Sequence, residues 1–202
     1  MLDQLSTSLL ALSPWEALAV VLALAYLLLA MAEHVACWAC ALGSTAIYTV
    51  LFFDVRLFME SGLNVYYLAM AVYGWYHWRR LPDATRLPIS TWPLRRHCVA
   101  IAGIIVLSAL TGYLLARYTA AQWPYVDSFT TWGSVVATWM VARKTLENWL
   151  YWLVLDAICI PVFIERGLPL TAALYATYLV LAALAYQRWR RQLGGQVDPV
   201  HA

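Results

Sequence analysis

Seven long apolar runs divide the chain, and each is bounded by charged residues or by proline. Their lengths are close to the roughly 20 apolar residues that a helix needs to cross a bilayer core of about 30 Å. The runs are continuously apolar rather than alternating, which is unlike the strands of a transmembrane β-barrel. The pattern therefore predicts seven membrane-spanning helices, over residues 14–32, 35–53, 58–78, 98–116, 124–141, 146–164 and 169–187.

The composition agrees with this prediction. Hydrophobic residues make up 63% of the 202 residues and charged residues 12%, whereas soluble domains are about half apolar and about a quarter charged. A soluble fold could not bury so much apolar surface, so we predict an all-α integral membrane protein that is surrounded by the lipid bilayer. Seven spans use about 140 residues, which leaves short loops, and we expect no nucleic-acid partner.

Basic residues predict the orientation of the chain in the membrane. They collect after the third, fifth and seventh runs, which lie on one side because the number of spans is odd. These residues are Arg79, Arg80, Arg86, Arg95, Arg96, Arg143, Lys144, Arg188, Arg190 and Arg191, against Arg56, Arg117 and Arg166 on the other side. Loops rich in lysine and arginine stay in the cytoplasm, so we predict a cytoplasmic C-terminus and an outside N-terminus.

The chain contains a weak internal repeat. A shift of the sequence by 111 aligns Tyr67 with Tyr178 and Trp78-Arg79-Arg80 with Trp189-Arg190-Arg191. A shift by 114 aligns Glu33 and Trp38 with Glu147 and Trp152, and a shift by 110 aligns Pro14-Trp15 with Pro124-Tyr125. These near-constant offsets match the first three helices to the last three.

We therefore predict a 3+1+3 arrangement of two parallel repeats. Residues 1–80 form the first three-helix repeat, residues 81–122 a loop and a linker helix, and residues 123–202 the second repeat and the tail. Transporters built from such repeats bind substrate at the seam between them, near the middle of the membrane.

The sixth run, ENWLYWLVLDAIC from Glu147, carries the strongest candidate binding surface. At helical spacing, one arc of about 100° holds Asn148, Trp149, Trp152, Asp156 and Cys159. Indole rings stack on flat ligands and attract positive charge, and a carboxylate supplies the counter-charge. The alternative is that these are packing aromatics with a buried acid bonded to a neighbour. We interpret the face as a site for a flat, polar or cationic ring.

The third run places Asn64 and Tyr67 on the same side as Trp75 and Trp78. At about 1.5 Å per residue, Asn64 lies roughly 12 Å from the outer edge and Asp156 roughly 18 Å from the inner edge. In a core of about 30 Å these depths coincide. Asn64, Tyr67 and the repeat-matched Trp38 therefore join the predicted substrate site.

The fifth run aligns Asp127, Thr131, Ser134 and Thr138. We expect Thr131 to contact substrate, and Ser134 and Thr138 to let helices approach closely. Asp127 near the outer mouth and Glu147 near the inner edge are predicted gate or ion-pair residues. Glu33 and His34 are interpreted as turn residues without a chemical role.

The motifs of several enzyme classes are absent from the sequence. It has no Walker loop, no HExxH and no GxSxG, which disfavours an ATP-driven pump and those hydrolases. The cysteines, at positions 37, 40, 98 and 159, include one CxxC without a second pair, and we interpret them as packing residues. We predict no enzyme activity, no metal and no cofactor.

Three segments resemble the PnuC family of vitamin transporters: YGWYHW in the third run, PYVDS at the start of the fifth, and RKTLENWLYWLVLDA entering the sixth. The resemblance covers nearly the whole chain. It implies a fold similar to the SWEET sugar transporters and a homotrimer in the bacterial inner membrane. It also implies facilitated diffusion of nicotinamide riboside for NAD biosynthesis, with trapping by cytosolic phosphorylation. The substrate region of the family maps onto Asn64, Trp149, Trp152 and Asp156.

Two positions depart from the riboside carriers that the chain resembles, which tend to have Gln at Asn64 and Asn at Asp156. PnuT-type relatives carry thiamine and others carry riboflavin, so these vitamins remain alternatives. Nicotinamide riboside and thiamine are both cations, which an acid at Asp156 suits. Proton-coupled uptake through Asp156 or Asp127 is a further alternative. A membrane enzyme or receptor subunit would need a catalytic constellation or a soluble domain that the sequence lacks.

Overall fold

A computed structural model describes residues 14–54, 58–79, 87–167 and 169–197. Within these ranges the chain forms seven α-helices and no strand. They are α1 (Pro14–Met31), α2 (Cys37–Asp54), α3 (Phe58–Arg79), α4 (Leu94–Tyr118), α5 (Pro124–Ala142), α6 (Asn148–Glu165) and α7 (Pro169–Val197). The seven predicted helices are confirmed, and the largest difference is at α7, which ends at Val197 rather than at residue 187.

The helices expose large apolar side chains on the surface of the bundle, and several polar side chains are buried inside it. Large apolar residues such as Val50, Val72 and Val154 are exposed on the surface of the bundle, while Asn64 and Asp156 are buried. Such a distribution fits a hydrocarbon surrounding, because polar groups there face the interior of the bundle. By length and composition alone, α1, α4 and α6 are able to span a membrane.

The packing of the helices follows a repeated pattern. The helix α2 packs on α1 and α3, and α6 packs on α5 and α7. Between these two triplets, α3 packs on α5 and α1 packs on α7, whereas α4 packs on α5 among the described helices. Exchanging α1–α3 with α5–α7 therefore reproduces the same helix contacts, apart from those of α4.

The turns from α1 to α2 and from α5 to α6 have the same backbone structure. Glu33 and Lys144 have positive φ angles of 54° and 50°, which are uncommon for residues other than glycine. The Glu33 amide donates to the Ala30 carbonyl at 3.0 Å, and the Lys144 amide donates to the Val141 carbonyl at 2.9 Å. An offset of 111 rather than 114 thus relates the two turns, and Glu33 corresponds to Lys144 instead of Glu147.

The aromatic core repeats with the same offset. The rings of Trp38 and Trp78 meet edge to face with centroids 5.4 Å apart and planes at 87°. The rings of Trp149 and Trp189 do the same at 5.3 Å and 86°. Trp38 therefore corresponds to Trp149, and the sequence alignment of Trp38 with Trp152 was wrong by about one helical turn.

Two indole groups connect the triplets to each other. The Trp78 indole N–H donates to the Ala142 carbonyl at the end of α5, at 3.1 Å. The Trp189 indole N–H donates to the Met31 carbonyl at the end of α1, at 3.3 Å. These two hydrogen bonds are again related by the offset of 111. Each one satisfies a backbone carbonyl that has no intrahelical partner because it lies at the end of a helix.

Gly74 allows α2 and α3 to pack closely, because a Cβ atom at this position would overlap the Trp38 indole. We expect Gly74→Ala to lower the free energy of unfolding by about 1–3 kcal/mol through overpacking. Gly62→Ala in the same helix is the matched control, since its Cβ would meet nothing within 4 Å. That control should gain up to about 1 kcal/mol from helix propensity. Melting temperatures in detergent test this, and equal values for the two variants would contradict it.

Candidate functional site

The predicted site residues lie at two levels of the bundle. We call the end that carries Arg79, Arg143, Lys144 and Arg188 the basic end; α1, α3 and α5 finish there, and α2 and α6 begin there. Asn148 and Trp149 are the first two residues of α6. Asp156 lies eight residues beyond Asn148, which is about 12 Å deeper at 1.5 Å per residue. A small ligand bound at the level of Asp156 would therefore lie about 12 Å from the level of Asn148.

The deeper level contains a group of polar side chains from four helices. Tyr67 of α3 and Ser134 of α5 are joined by a side-chain hydrogen bond. The Asp156 carboxyl on α6 is within electrostatic range of the hydroxyls of Tyr67, Tyr175 and Tyr178. We call these five residues, Tyr67, Ser134, Asp156, Tyr175 and Tyr178, the central cluster. It joins α3 of the first triplet to α5, α6 and α7 of the second.

Asp156 is the only acid of this cluster, and its side chain is buried at 4% exposure. Within the described part of the chain, no lysine, arginine or histidine forms an ion pair with it. Removing a carboxylate from water without a counter-charge costs several kcal/mol. The position is therefore suited either to a neutral, protonated carboxyl or to a carboxylate that is paired with a cation from outside the protein.

Three further predicted residues lie close to the central cluster along their helices. Asn64 is buried one turn before Tyr67, and Thr131 is half-buried three residues before Ser134. Residues three or four apart share a helix face. Trp152 is half-buried, one turn from Asp156, and packs against the apolar core of the basic end. These residues could line a ligand that is held by the cluster.

Trp38, Trp149 and Asn148 lie instead in the buried core at the basic end. Trp38 and Trp149 are each 1% exposed and belong to the same apolar cluster. The Asn148 side-chain amide donates to the Thr145 carbonyl at 2.6 Å, within the turn before α6. The contacts of the two tryptophans with the apolar cluster favour packing, whereas the indole nitrogens of Trp38 and Trp149 and the Asn148 side-chain oxygen are buried without a hydrogen-bond partner in the described structure. That these three residues touch substrate stays a prediction.

The two predicted gate residues have different partners. The Arg166 guanidinium donates to both carboxylate oxygens of Asp127 at 2.8 Å, at the end opposite the basic end. Glu147 accepts a hydrogen bond from the Trp92 backbone N–H at 3.2 Å and so holds the loop before α4. Lys144, three residues before Glu147 in the sequence, pairs with Glu33 at 2.8 Å and not with Glu147.

Sequence reasoning missed Tyr175, Tyr178 and the pair of Glu33 with Lys144. The alignment of Tyr67 with Tyr178 contained the signal for Tyr178, because equivalent positions of two repeats face a shared centre. The same offset of 111 aligns Glu33 with Lys144. The sequence alignment paired Glu33 with Glu147 instead, because those two residues are identical. Within the described ranges, no three His, Cys, Asp or Glu side chains come together as metal ligands would.

Comparison with known proteins settles the family. The model of the family "Nicotinamide mononucleotide transporter" matches residues 13–191. The chain belongs to this family. This confirms the predicted relationship to PnuC and the prediction of a multi-pass membrane transporter rather than an enzyme.

Characterised relatives of this transporter family differ in the vitamin that their names give. The nicotinamide riboside transporter PnuC of Escherichia coli is 26% identical over 196 residues, which cover 84% of this chain and 81% of that protein. The riboflavin/roseoflavin transporter RibM of Streptomyces davaonensis is 26% identical over 136 residues, or 64% of this chain. The second match spans 63% of the length of RibM, which is less than two thirds.

A solved structure shows the same fold. The crystal structure of the vitamin B3 transporter PnuC superposes with a TM-score of 0.74 at 20% sequence identity. The superposition covers 96% of this chain and 90% of the other. The helical membrane fold is thus shared across nearly the whole length.

Proposed function

We propose that this protein carries a cationic vitamin precursor, nicotinamide riboside in the first place, across the bacterial inner membrane by facilitated diffusion. The observation that carries the proposal is the buried Asp156 carboxyl, which has no cationic partner among the described residues. The family and the riboside-transporting PnuC relative support the class of substrate.

The central cluster offers each part of nicotinamide riboside a suitable partner. Its pyridinium ring is flat and positively charged, so the Asp156 carboxylate supplies the counter-charge. The aromatic rings of Trp152, Tyr67 and Tyr178 are able to stack on the ring or attract it. Tyrosine hydroxyls both donate and accept hydrogen bonds, as the hydroxyls of ribose do.

The transport route that we propose follows the seam between two parallel repeats in a 3+1+3, SWEET-like arrangement. The helix contacts that are preserved on exchanging α1–α3 with α5–α7 support this arrangement. So do the matched turns at Glu33 and Lys144. The basic end would face the cytoplasm according to the positive-inside rule, with the N-terminus outside.

A facilitator needs a sink to sustain uptake, because it only equalises concentrations. We propose that cytosolic phosphorylation traps the riboside on its way to NAD, and that the protein works as a homotrimer. Both proposals are supported by the resemblance to the PnuC family.

Titration calorimetry with purified protein tests the substrate. We expect saturable binding of nicotinamide riboside, with thiamine as the closest competitor because it shares the positive charge. Riboflavin, the substrate in the name of the RibM relative, is neutral and should bind more weakly. Tightest binding of riboflavin would contradict a site built around the charge of Asp156.

Proton-coupled uptake is the second candidate, because Asp156 is a buried acid that could carry a proton. Proteoliposomes loaded with an inward or an outward pH gradient separate the two functions. Facilitated diffusion predicts the same initial uptake rate for both gradients at zero membrane potential. Uptake that accelerates with an inward proton gradient would favour the coupled carrier.

A further inference from the structure

We propose that Glu33 and Lys144 form the inner gate of the transporter, an ion pair that joins the two triplets and has to break before substrate leaves toward the cytoplasm. This inference rests on the proposed function, since a gate presupposes a carrier with alternating access. It assigns a role to a glutamate that the sequence suggested only as a turn residue.

The ion pair crosses the seam between the triplets. Glu33 belongs to the turn between α1 and α2, and Lys144 to the turn between α5 and α6. The Lys144 ammonium donates to a Glu33 carboxylate oxygen at 2.8 Å, and the two side chains are 3% and 9% exposed for Lys144 and Glu33. The ammonium also lies 4.7 Å from the centre of the Trp78 ring, close enough for a cation–π interaction.

The repeat explains why an acid and a base meet here. Glu33 and Lys144 occupy equivalent positions of the two triplets, and equivalent positions near the axis that relates two repeats approach each other. Identical charges at such a position would repel. Because the two repeats carry opposite charges there, the contact attracts and holds the basic end together.

Two hydrogen bonds accompany the ion pair. The Trp78 indole donates to the Ala142 carbonyl, and the Trp189 indole donates to the Met31 carbonyl. Both connect one triplet to the other at the level of the two turns. The ion pair, these two hydrogen bonds and the hydrogen bond from Arg143 to the Tyr73 hydroxyl at 3.1 Å thus join the triplets at the basic end, about 12 Å or more from the level of Asp156.

The ion pair at the opposite end does not have this function. Asp127 and Arg166 belong to the same triplet, at the start of α5 and just beyond the end of α6. Their side chains are 29% and 23% exposed. Of the two ion pairs in the described part of the chain, only Glu33–Lys144 crosses the seam, so the described conformation is closed on the basic side.

Opening this side requires the two turns to move apart. Removing one partner of a buried ion pair leaves the other charge without compensation and destabilises the closed arrangement. In the open arrangement water reaches the remaining charge, so the loss is smaller there. Neutralising either residue should therefore shift the equilibrium toward the open basic end.

Cys37 provides a native reporter for this movement. It is fully buried at the first residue of α2 and lies within electrostatic range of Lys144. The test uses chains in which Cys40, Cys98 and Cys159 are replaced by alanine, in inside-out membrane vesicles. A membrane-impermeant maleimide then reaches Cys37 only when the basic end opens toward the cytoplasm.

We expect slow labelling of Cys37 with the native pair, and labelling at least about tenfold faster in Glu33→Gln and in Lys144→Gln. Arg188→Gln is the matched control, because Arg188 of α7 is exposed at the same basic end and forms no ion pair within the described residues. It should label as slowly as the parent. The charge exchange Glu33→Lys with Lys144→Glu should restore slow labelling, which a merely misfolded protein would not do.

Labelling of Glu33→Gln at the rate of Arg188→Gln would overturn the gate, and so would an exchange variant that labels as fast as the single variants. The labelling experiment is carried out without any vitamin, so its outcome does not depend on the identity of the substrate. If nicotinamide riboside and thiamine failed to bind while this labelling pattern held, the substrate would be wrong and the gate would stand. Normal binding without the pattern would overturn the gate alone.

Discussion

Asp156→Ala should weaken the binding of nicotinamide riboside by about 10- to 100-fold. The substitution removes the counter-charge of a cation in a buried site, where a hydrogen bond to a charged group contributes about 1.5–3 kcal/mol. A change of about 1.4 kcal/mol alters a dissociation constant by about tenfold. Titration calorimetry on detergent-purified protein measures the effect directly.

Two further variants separate the effect of the charge from that of the shape. Asp156→Asn keeps a hydrogen-bonding side chain of the same size, so its loss of affinity should be smaller than that of Asp156→Ala. Asp54→Asn is the control for surface charge, because Asp54 is exposed at the end of α2. An affinity for nicotinamide riboside that is the same in Asp156→Ala and Asp54→Asn would remove Asp156 from the site.

Trp149→Ala should lower the free energy of unfolding by about 3–5 kcal/mol, the usual cost of truncating a fully buried tryptophan. Trp149 packs edge to face on Trp189 in the core of the basic end. The folded fraction should bind the vitamin with an affinity within about twofold of the parent, since this ring lies away from the central cluster. Thermal unfolding followed by tryptophan fluorescence measures the stability.

Trp152→Ala is the matched comparison, the same change one turn further along α6. Trp152 is half-buried and nearer to Asp156, so we expect a smaller loss of stability and a roughly tenfold loss of affinity. Trp149→Phe keeps a ring in the core and serves if the alanine variant does not fold. A larger loss of affinity in Trp149→Phe than in Trp152→Ala would contradict this expectation and would show that Trp149 contacts the substrate.

The helices could be predicted from the sequence because hydrocarbon demands long apolar runs. Each predicted run lies close to an observed helix, from α1 at Pro14–Met31 onward. The C-terminal end of α7 could not be placed, because polar residues that leave the membrane are able to continue a helix. Hydropathy detects the bilayer boundary, whereas hydrogen bonding decides where the helix stops.

The register of the repeat was harder to predict than its existence. Trp38 aligns with Trp149 at one offset and with Trp152 at another. The sequence alone favoured Trp152, because Glu147 precedes Trp152 by the same spacing as Glu33 precedes Trp38. The backbone decides otherwise, since the positive φ angles of Glu33 and Lys144 fix equivalent turns. At these two positions the repeats have the same backbone conformation but side chains of opposite charge.

The helical face of α6 was predicted as an arc, but an arc carries no information on depth. Trp149 and Asp156 share a face and yet lie about 10 Å apart along the axis. One belongs to the buried core of the basic end and the other to the central cluster. The contribution of α7 depends on which helices are neighbours, and periodicity within one helix does not contain that information.

Uptake of labelled nicotinamide riboside into proteoliposomes decides whether this protein is a carrier for that cation. With equal salt on both sides and no ion gradient, facilitated diffusion predicts a saturable initial rate and a plateau at equal inside and outside concentrations. Excess unlabelled riboside or thiamine should compete. A rate that rises linearly with concentration, equal to that of protein-free liposomes, would contradict a carrier with a site for this cation.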